Sequence, residues 1–346
     1  MPHISKKQKP VYKTTVIDKS LNVLYEDSVE TEQANTLYFN NALIDNSGNI
    51  FFFYNAQRYY IDTARMGTVS FIHTNISTHK SEEFTLNIFE KIENSSPNRT
   101  NCLINDYSVA FWDSTTIIVS GVFYNETARV RPSLFFVTIN TKDNSFQISV
   151  NPFAEEIFGE NTASLPALST HSLIHIAPII LKNDEIISIC EEYWENDGGP
   201  NSSAVLQYSG NIFATKYDTY GKISWQQKID KRLKSSSWLN EQAFSYAVWK
   251  NKLYIVFIDN INNYSGNGFQ ESIVNAALKS YDYKVLSIVS MDLQNGEYEK
   301  HVLNDFTDIN RADFIDKGLQ ISDDELLIPL FDKGGKNIEF MKIVFF

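Results

Sequence analysis

The feature that most constrains this chain is an internal repeat. Five segments share one plan: an apolar pair, a short turn rich in Asn, Asp, Ser or Lys, then a dense apolar run. They are Leu43–Phe53, Phe111–Val119, Leu181–Ile187, Trp249–Ile255 and Ile321–Leu327. Aligning the second strand of each at Ile50, Ile117, Ile186, Leu253 and Leu326 gives separations of 67, 69, 67 and 73 residues. Five such units of about 69 residues account for a chain of 346. Short polar turns between β-prone apolar runs are hairpin signals, and a repeat of this length points to stacked or radial supersecondary units.

Each unit continues with a second hairpin after a longer connection. The second unit has Leu134–Ile139 and Phe146–Val150, and the third has Ile212–Asp218 and Lys222–Ile229. The fourth has Val285–Asp292 and Tyr298–Val302, and the first, less regular, has Thr68–Ile72 and Phe84–Ile88. Four antiparallel strands per unit, repeated radially, make the blade of a β-propeller. The units run approximately over 31–92, 93–150, 170–230, 243–303 and 311–346. The last ends after its third strand, Ile338–Phe346, and an unassigned hairpin, Thr14–Asp18 with Asn22–Asp27, precedes the first. The expected fold is therefore all-β: a single five-bladed propeller over 1–346, its last blade completed by residues 11–29. Closure by the N-terminal strand removes two sheet edges. The count becomes six if that hairpin starts a blade of its own, and a two-domain β-sandwich is the alternative. One helix is expected, at Glu271–Lys279.

Composition agrees with strands. Phe 24, Tyr 18 and Trp 5 make 14% aromatics, a β-favouring excess. A formal charge of −12 argues against sequence-nonspecific nucleic-acid binding, which needs a basic surface. The longest apolar stretch, Leu173–Leu181, is broken by a His and a Pro and is too short to span a bilayer. No apolar core follows the basic N-terminus, so the expectation is a cytoplasmic protein, or a secreted or periplasmic one whose leader has been removed. Cys102 and Cys190 lie in strand-like runs and are expected as buried free thiols, with a disulfide as the alternative.

The segment Lys216-Tyr-Asp-Thr-Tyr-Gly-Lys-Ile-Ser-Trp225 resembles the K-[YF]-D-x-x-G-x-[IV]-x-W blade turn of uncharacterised bacterial propeller proteins, often of the cell envelope. Only the third unit carries it in full. The resemblance implies a propeller fold and an envelope location, and it implies no chemistry.

The turns within hairpins are short, whereas the connections after each second strand and between units are long: residues 54–67, 124–132, 191–210, 259–284 and 332–337, with 93–101, 151–170 and 230–242. Long loops gathered at one face of a rigid scaffold are where function concentrates. Their first residues are Tyr54, Asn55 and Arg58; Tyr124, Asn125 and Glu126; Glu191, Glu192 and Trp194; and Asp259 and Asn260. Aromatic rings beside carboxylates and amides suit sugar rings, or equally a peptide or protein partner. The same rings could instead seal the gaps between blades.

Catalytic motifs are absent: the chain has no G-x-S-x-G, H-E-x-x-H, P-loop or G-x-G-x-x-G. His171 and His175, four apart on a strand, share a face and are weak metal-ligand candidates. Asp106, Asp313 and Glu191 are the candidate trio for a glycosidase-like enzyme. The stretch 259–263 offers oxygen ligands for calcium without the alternating spacing of an EF-hand loop. The leading expectation is a noncatalytic propeller without a cofactor that binds a glycan or peptide on its long-loop face. A glycoside hydrolase is the first alternative and a structural scaffold the second.

Overall fold

The structure is a computed structural model. It describes residues 11–30, 37–56, 68–88, 102–125, 130–154, 157, 172–175, 179–180, 185–197, 205–231, 233–235, 244–264, 272–274, 284–305, 314–315, 318–331 and 338–346.

The described residues form antiparallel sheets in chain order. The hairpin β1 (Val11–Ile17) and β2 (Val23–Glu30) is a two-stranded sheet by itself. A four-stranded sheet follows: β3 (Leu37–Ile44), β4 (Ile50–Ala56), β5 (Thr68–Asn75) and β6 (Lys80–Asn87). The next is β7 (Cys102–Phe111), β8 (Thr116–Asn125), β9 (Val130–Asn140) and β10 (Phe146–Pro152).

The third repeat holds β11 (Ser172–His175), β12 (Ile179–Ile180), β13 (Ile186–Asp197), β14 (Val205–Tyr217), β15 (Ile223–Ile229) and β16 (Leu233–Ser235). The fourth is β17 (Phe244–Trp249), β18 (Lys252–Asn260), β20 (Lys284–Asp292) and β21 (Tyr298–Asp305). Between its middle strands, β19 (Ser272–Val274) pairs parallel to β16. This corrects the expected helix at 271–279, whose remaining described part is a strand. The β-branched pair Ile273-Val274 favours the extended form, and pairing to β16 supplies its backbone partners.

In the fifth repeat, β22 (Phe314–Ile315) and β23 (Leu319–Ser322) both pair with β24 (Glu325–Phe331), and β25 (Ile338–Val344) also pairs with it. The strands aligned by sequence at Ile50, Ile117, Ile186, Leu253 and Leu326 are β4, β8, β13, β18 and β24, each central in its sheet. The pairing of an N-terminal strand with the last sheet is not among the described pairings.

The hairpin turns share one device. Asp45 Oδ1 accepts the backbone N–H of Ser47 and Asn49, each at 2.8 Å, and Gly48 takes φ +81°. Asp218 does the same for Tyr220 and Lys222 at 2.9 Å, with Gly221 at φ +76°. Asp292 accepts from Gln294 at 2.7 Å, with Gly296 at φ +77°. Asp side chains mimic a backbone turn, and Gly supplies the left-handed residue without a Cβ penalty.

The chain divides into two compact units: residues 1–153 with 175–188 and 217–222, and residues 154–174 with 189–216 and 223–346. In the first, Phe51, Phe53, Val69, Phe71 and Leu86 pack against Tyr107, Val109, Ile117, Val119, Phe135 and Val137. In the second, Ala247, Val256, Ile258 and Leu286 pack against Leu326, Ile328 and Leu330. Cys190 is buried and not disulfide-bonded, and the Cys102 side chain lies outside the described residues.

Equivalent positions of neighbouring repeats are tied together. Asn151 Nδ2 donates to Gly221 O at 2.9 Å, and Trp225 Nε1 and Lys216 Nζ both donate to Leu293 O, at 3.3 and 2.7 Å. Tyr298 Oη donates to Lys228 O at 2.9 Å, and Gln320 Nε2 to Val248 O at 2.8 Å. Four of these ties span 68 to 72 residues, about one repeat, and the Lys216 tie spans 77. The residues of the Lys216–Trp225 segment are thus inter-repeat joints: Tyr217 stacks on Phe136 at 5.2 Å, and Trp225 seats the Gly296 turn.

Candidate functional site

A buried polar cluster lies in the second unit, between the strands of the third and fourth repeats. Glu191 on β13 is 1% exposed and Ser209 on β14 is 2% exposed. Lys231, two residues past the end of β15, is 1% exposed. The Lys231 ammonium contacts both Glu191 Oε1 and Ser209 Oγ, and Ser209 Oγ donates to Glu191 Oε1 at 2.6 Å. Because β15 runs antiparallel to β14, its end lies beside the start of β14, which brings Lys231 to Ser209. Burial holds the Lys231 pKa below the ordinary lysine value, opposed by the Glu191 carboxylate and, next, by Asp259. Beside them, Glu192 Oε2 accepts Asn211 N–H at 3.0 Å.

The end of β18 adds a second pair. Asp259 is 1% exposed and its Oδ2 lies 2.5 Å from Lys300 Nζ of β21. Asn263 Nδ2 donates to Asp259 Oδ1 at 2.7 Å, from the 3₁₀ turn Ile261–Tyr264. Asn260 caps that turn by accepting Asn262 N–H at 3.0 Å. Tyr264 Oη hydrogen-bonds Ser287 Oγ, and burial raises its pKa. The second unit therefore holds two buried carboxylates, each matched by a lysine: Glu191 midway along β13, where the sequence suggested the start of a loop, and Asp259 at the end of β18.

The sequence-predicted residues fall as follows. Glu191, Glu192, Asp259 and Asn260 belong to this cluster. Tyr54 is on β4, 1% exposed, and its hydroxyl reaches Glu83; its ring is packed inside rather than offered to solvent. Asn55 is on β4, Tyr124 and Asn125 on β8, Trp194 on β13 and His175 on β11, with side chains outside the described residues. Arg58, Glu126, His171 and Asp313 lie outside the described residues altogether. Asp106 sits at a bulge of β7, half-buried, and its Oδ1 accepts Tyr107 N–H at 2.9 Å. Asp106 and Glu191 belong to different units. Among the described residues no group of three or more His, Cys, Asp or Glu could hold a metal. No helix among them is long and apolar enough to cross a membrane.

Sequence reasoning missed Lys231, Lys300 and Ser209. Lys231 stands in Asp230-Lys231-Arg232, which reads as a solvated charge run. Asn263 lies in the oxygen-rich stretch 259–263 read from the sequence, where its side-chain amide donates to Asp259.

No family model matches the chain, and no curated protein matches it. Among solved structures it is similar to a GH43 β-1,3-galactosidase at 8% identity over 97% of this chain and 60% of that one, TM-score 0.35. It is similar to a polysaccharide lyase at 11% identity over 95% of this chain and 64% of that one, TM-score 0.47. It is also similar to the β-propeller domain of the Trilobed protease from Pyrococcus furiosus, at 11% identity over 96% of this chain and 76% of that one, TM-score 0.37. The chain spans less than two thirds of the first two of these structures.

Proposed function

We propose that this chain is a noncatalytic five-bladed β-propeller, closed by its N-terminal strand, that binds a glycan or peptide at the strand ends carrying the long connections. The repeat of four-stranded antiparallel sheets supports the architecture, as do joints recurring about one repeat apart. The observation that carries the functional reading is the state of the carboxylates at that end. Glu191 and Asp259 are each 1% exposed and each lies against a lysine ammonium. A carboxylate acting as nucleophile or general acid needs substrate within hydrogen-bond reach, and Glu191, sealed against the fully buried Lys231, has no room for it. Such pairs instead tie neighbouring strands together, and a rigid scaffold presents ligand contacts at low entropic cost.

The contacts proposed on this reading are Trp194 in the second unit and, taken separately, Tyr124, Asn125, Glu126 and Arg58 in the first. The test replaces Trp194 and Tyr124 together by Ala. Saturable binding in a thermal-shift screen of oligosaccharides and peptides disappears while the ligand-free melting temperature holds. Unaltered binding by the folded double variant would sink the reading.

A further inference from the structure

Lys300 occupies a box with the chemistry of an ammonium receptor. Its Nζ lies 2.5 Å from Asp259 Oδ2, 5.1 Å from the ring centroid of Phe257 and 5.4 Å from that of Tyr264. Aromatic faces within about 6 Å attract a cation through the ring quadrupole. The parts of the box are fixed independently of Lys300. Phe257 is fully buried, Asn263 orients the Asp259 carboxylate, and Ser287 holds the Tyr264 hydroxyl.

Lys300 is less embedded than Phe257 and Asp259. It rises from β21, its side chain is 20% exposed, and among the described residues it also donates to Asp230 O at 3.1 Å. A lysine stem can swing outward on its own rotamers, whereas the carboxylate it would leave is 1% exposed. A buried unpaired carboxylate is costly, so the emptied box draws in another cation of the same shape.

We propose that Phe257, Asp259 and Tyr264 form a site for the ammonium of a partner peptide's lysine, and that Lys300 is its internal competitor. This deepens the proposed binding function, and it rests on the reading that ligand sits at these strand ends. The box recognises a primary alkylammonium on a flexible stem, because that is the group seated in it. Lys300 acts as an autoinhibitory occupant, lowering apparent affinity by the fraction of time it fills the box.

The experiment titrates the full chain with Nα-acetyl-lysine methylamide, reading tyrosine fluorescence at matched ionic strength. Glucosamine and a neutral oligosaccharide mixture serve as parallel arms. The wild type binds the lysine probe weakly and saturably, Lys300→Ala binds it roughly tenfold tighter or more, and Asp259→Asn does not bind it. Binding by Lys300→Ala alone shows a purely structural ion pair and overturns the proposal, as does equal binding by Asp259→Asn. Preference for glucosamine overturns the lysine assignment. Should Lys300→Ala fail to fold, Lys300→Arg fills the box more firmly and binds the probe less than wild type; equal binding refutes the competitor role. Saturable binding of the neutral oligosaccharides with no response to lysine leaves the glycan-or-peptide reading intact and removes this one.

Discussion

Replacing Lys231 by Met tests the buried pair at the base of the candidate site. The side chains of Lys231 and Glu191 are 0% and 1% exposed, so water cannot solvate a carboxylate that loses its ammonium. Breaking a buried pair from one side costs about 3–5 kcal/mol. Unfolding entropy of about 2.1 cal/mol/K per residue, over 346 residues, is about 0.7 kcal/mol/K. The Lys231→Met variant is therefore expected to melt about 4–7 °C below wild type. The double variant Glu191→Gln/Lys231→Met keeps an amide oxygen to accept from Ser209 and removes the stranded charge. It recovers most of the loss, so the double-mutant cycle shows coupling of more than about 1 kcal/mol. Calorimetry, with urea unfolding as a second probe, reads both. A Lys231→Met protein that melts with wild type, or a double variant as damaged as the sum of its singles, refutes the argument.

Other expectations follow from the joints and the titrating groups. Gly221→Ala puts a Cβ 2.7 Å from Phe136 Cδ1 and 2.9 Å from Ser149 Cβ, costing about 2–5 kcal/mol from backbone strain and overpacking together. Gly48→Ala has a comparable φ but meets only Ile76 Cδ1 at 3.8 Å, so urea unfolding should show just the strain, about 1–2 kcal/mol. His73 stacks on Phe51 at 4.6 Å, and burial lowers its pKa below the ordinary histidine value. The unfolded chain then takes up the proton first, so the stability from neutral His73 is complete above about pH 6.5 and lost as pH falls below it. His73→Phe should flatten the fall in melting temperature between pH 7.5 and pH 5, roughly the range in which histidine titrates.

The strands were legible because their signal is local. At Ile50, Ile117 and Ile186 a dense apolar run meets a turn built from Asp, Asn or Ser, and each begins or nearly begins a central strand. The Asp218–Gly221 turn was equally readable, because an Asx turn and a left-handed glycine need only neighbours along the chain. Glu271–Lys279 was misread because its helical pattern is local while the pairing of Ser272–Val274 with β16 is not. Tyr54 reads as a loop residue from its polar neighbours, yet β4 continues to Ala56 and the ring packs inside. Lys231 was not legible at all. A lysine next to Asp230 and Arg232 looks solvated, and only the return of β15 beside β14 buries it against a glutamate 40 residues away.

The central claim is binding without catalysis at the long-connection end. Its most direct test incubates the chain with defined oligosaccharides and peptides, following thermal stabilisation and, by mass spectrometry, the integrity of each ligand. At a ligand concentration of about 100 Kd, stabilisation of about 2.7 kcal/mol is expected, a rise of about 4 °C, with the ligand recovered intact. Turnover of a bound glycan, lost on Glu191→Gln or Asp106→Asn, would contradict the account.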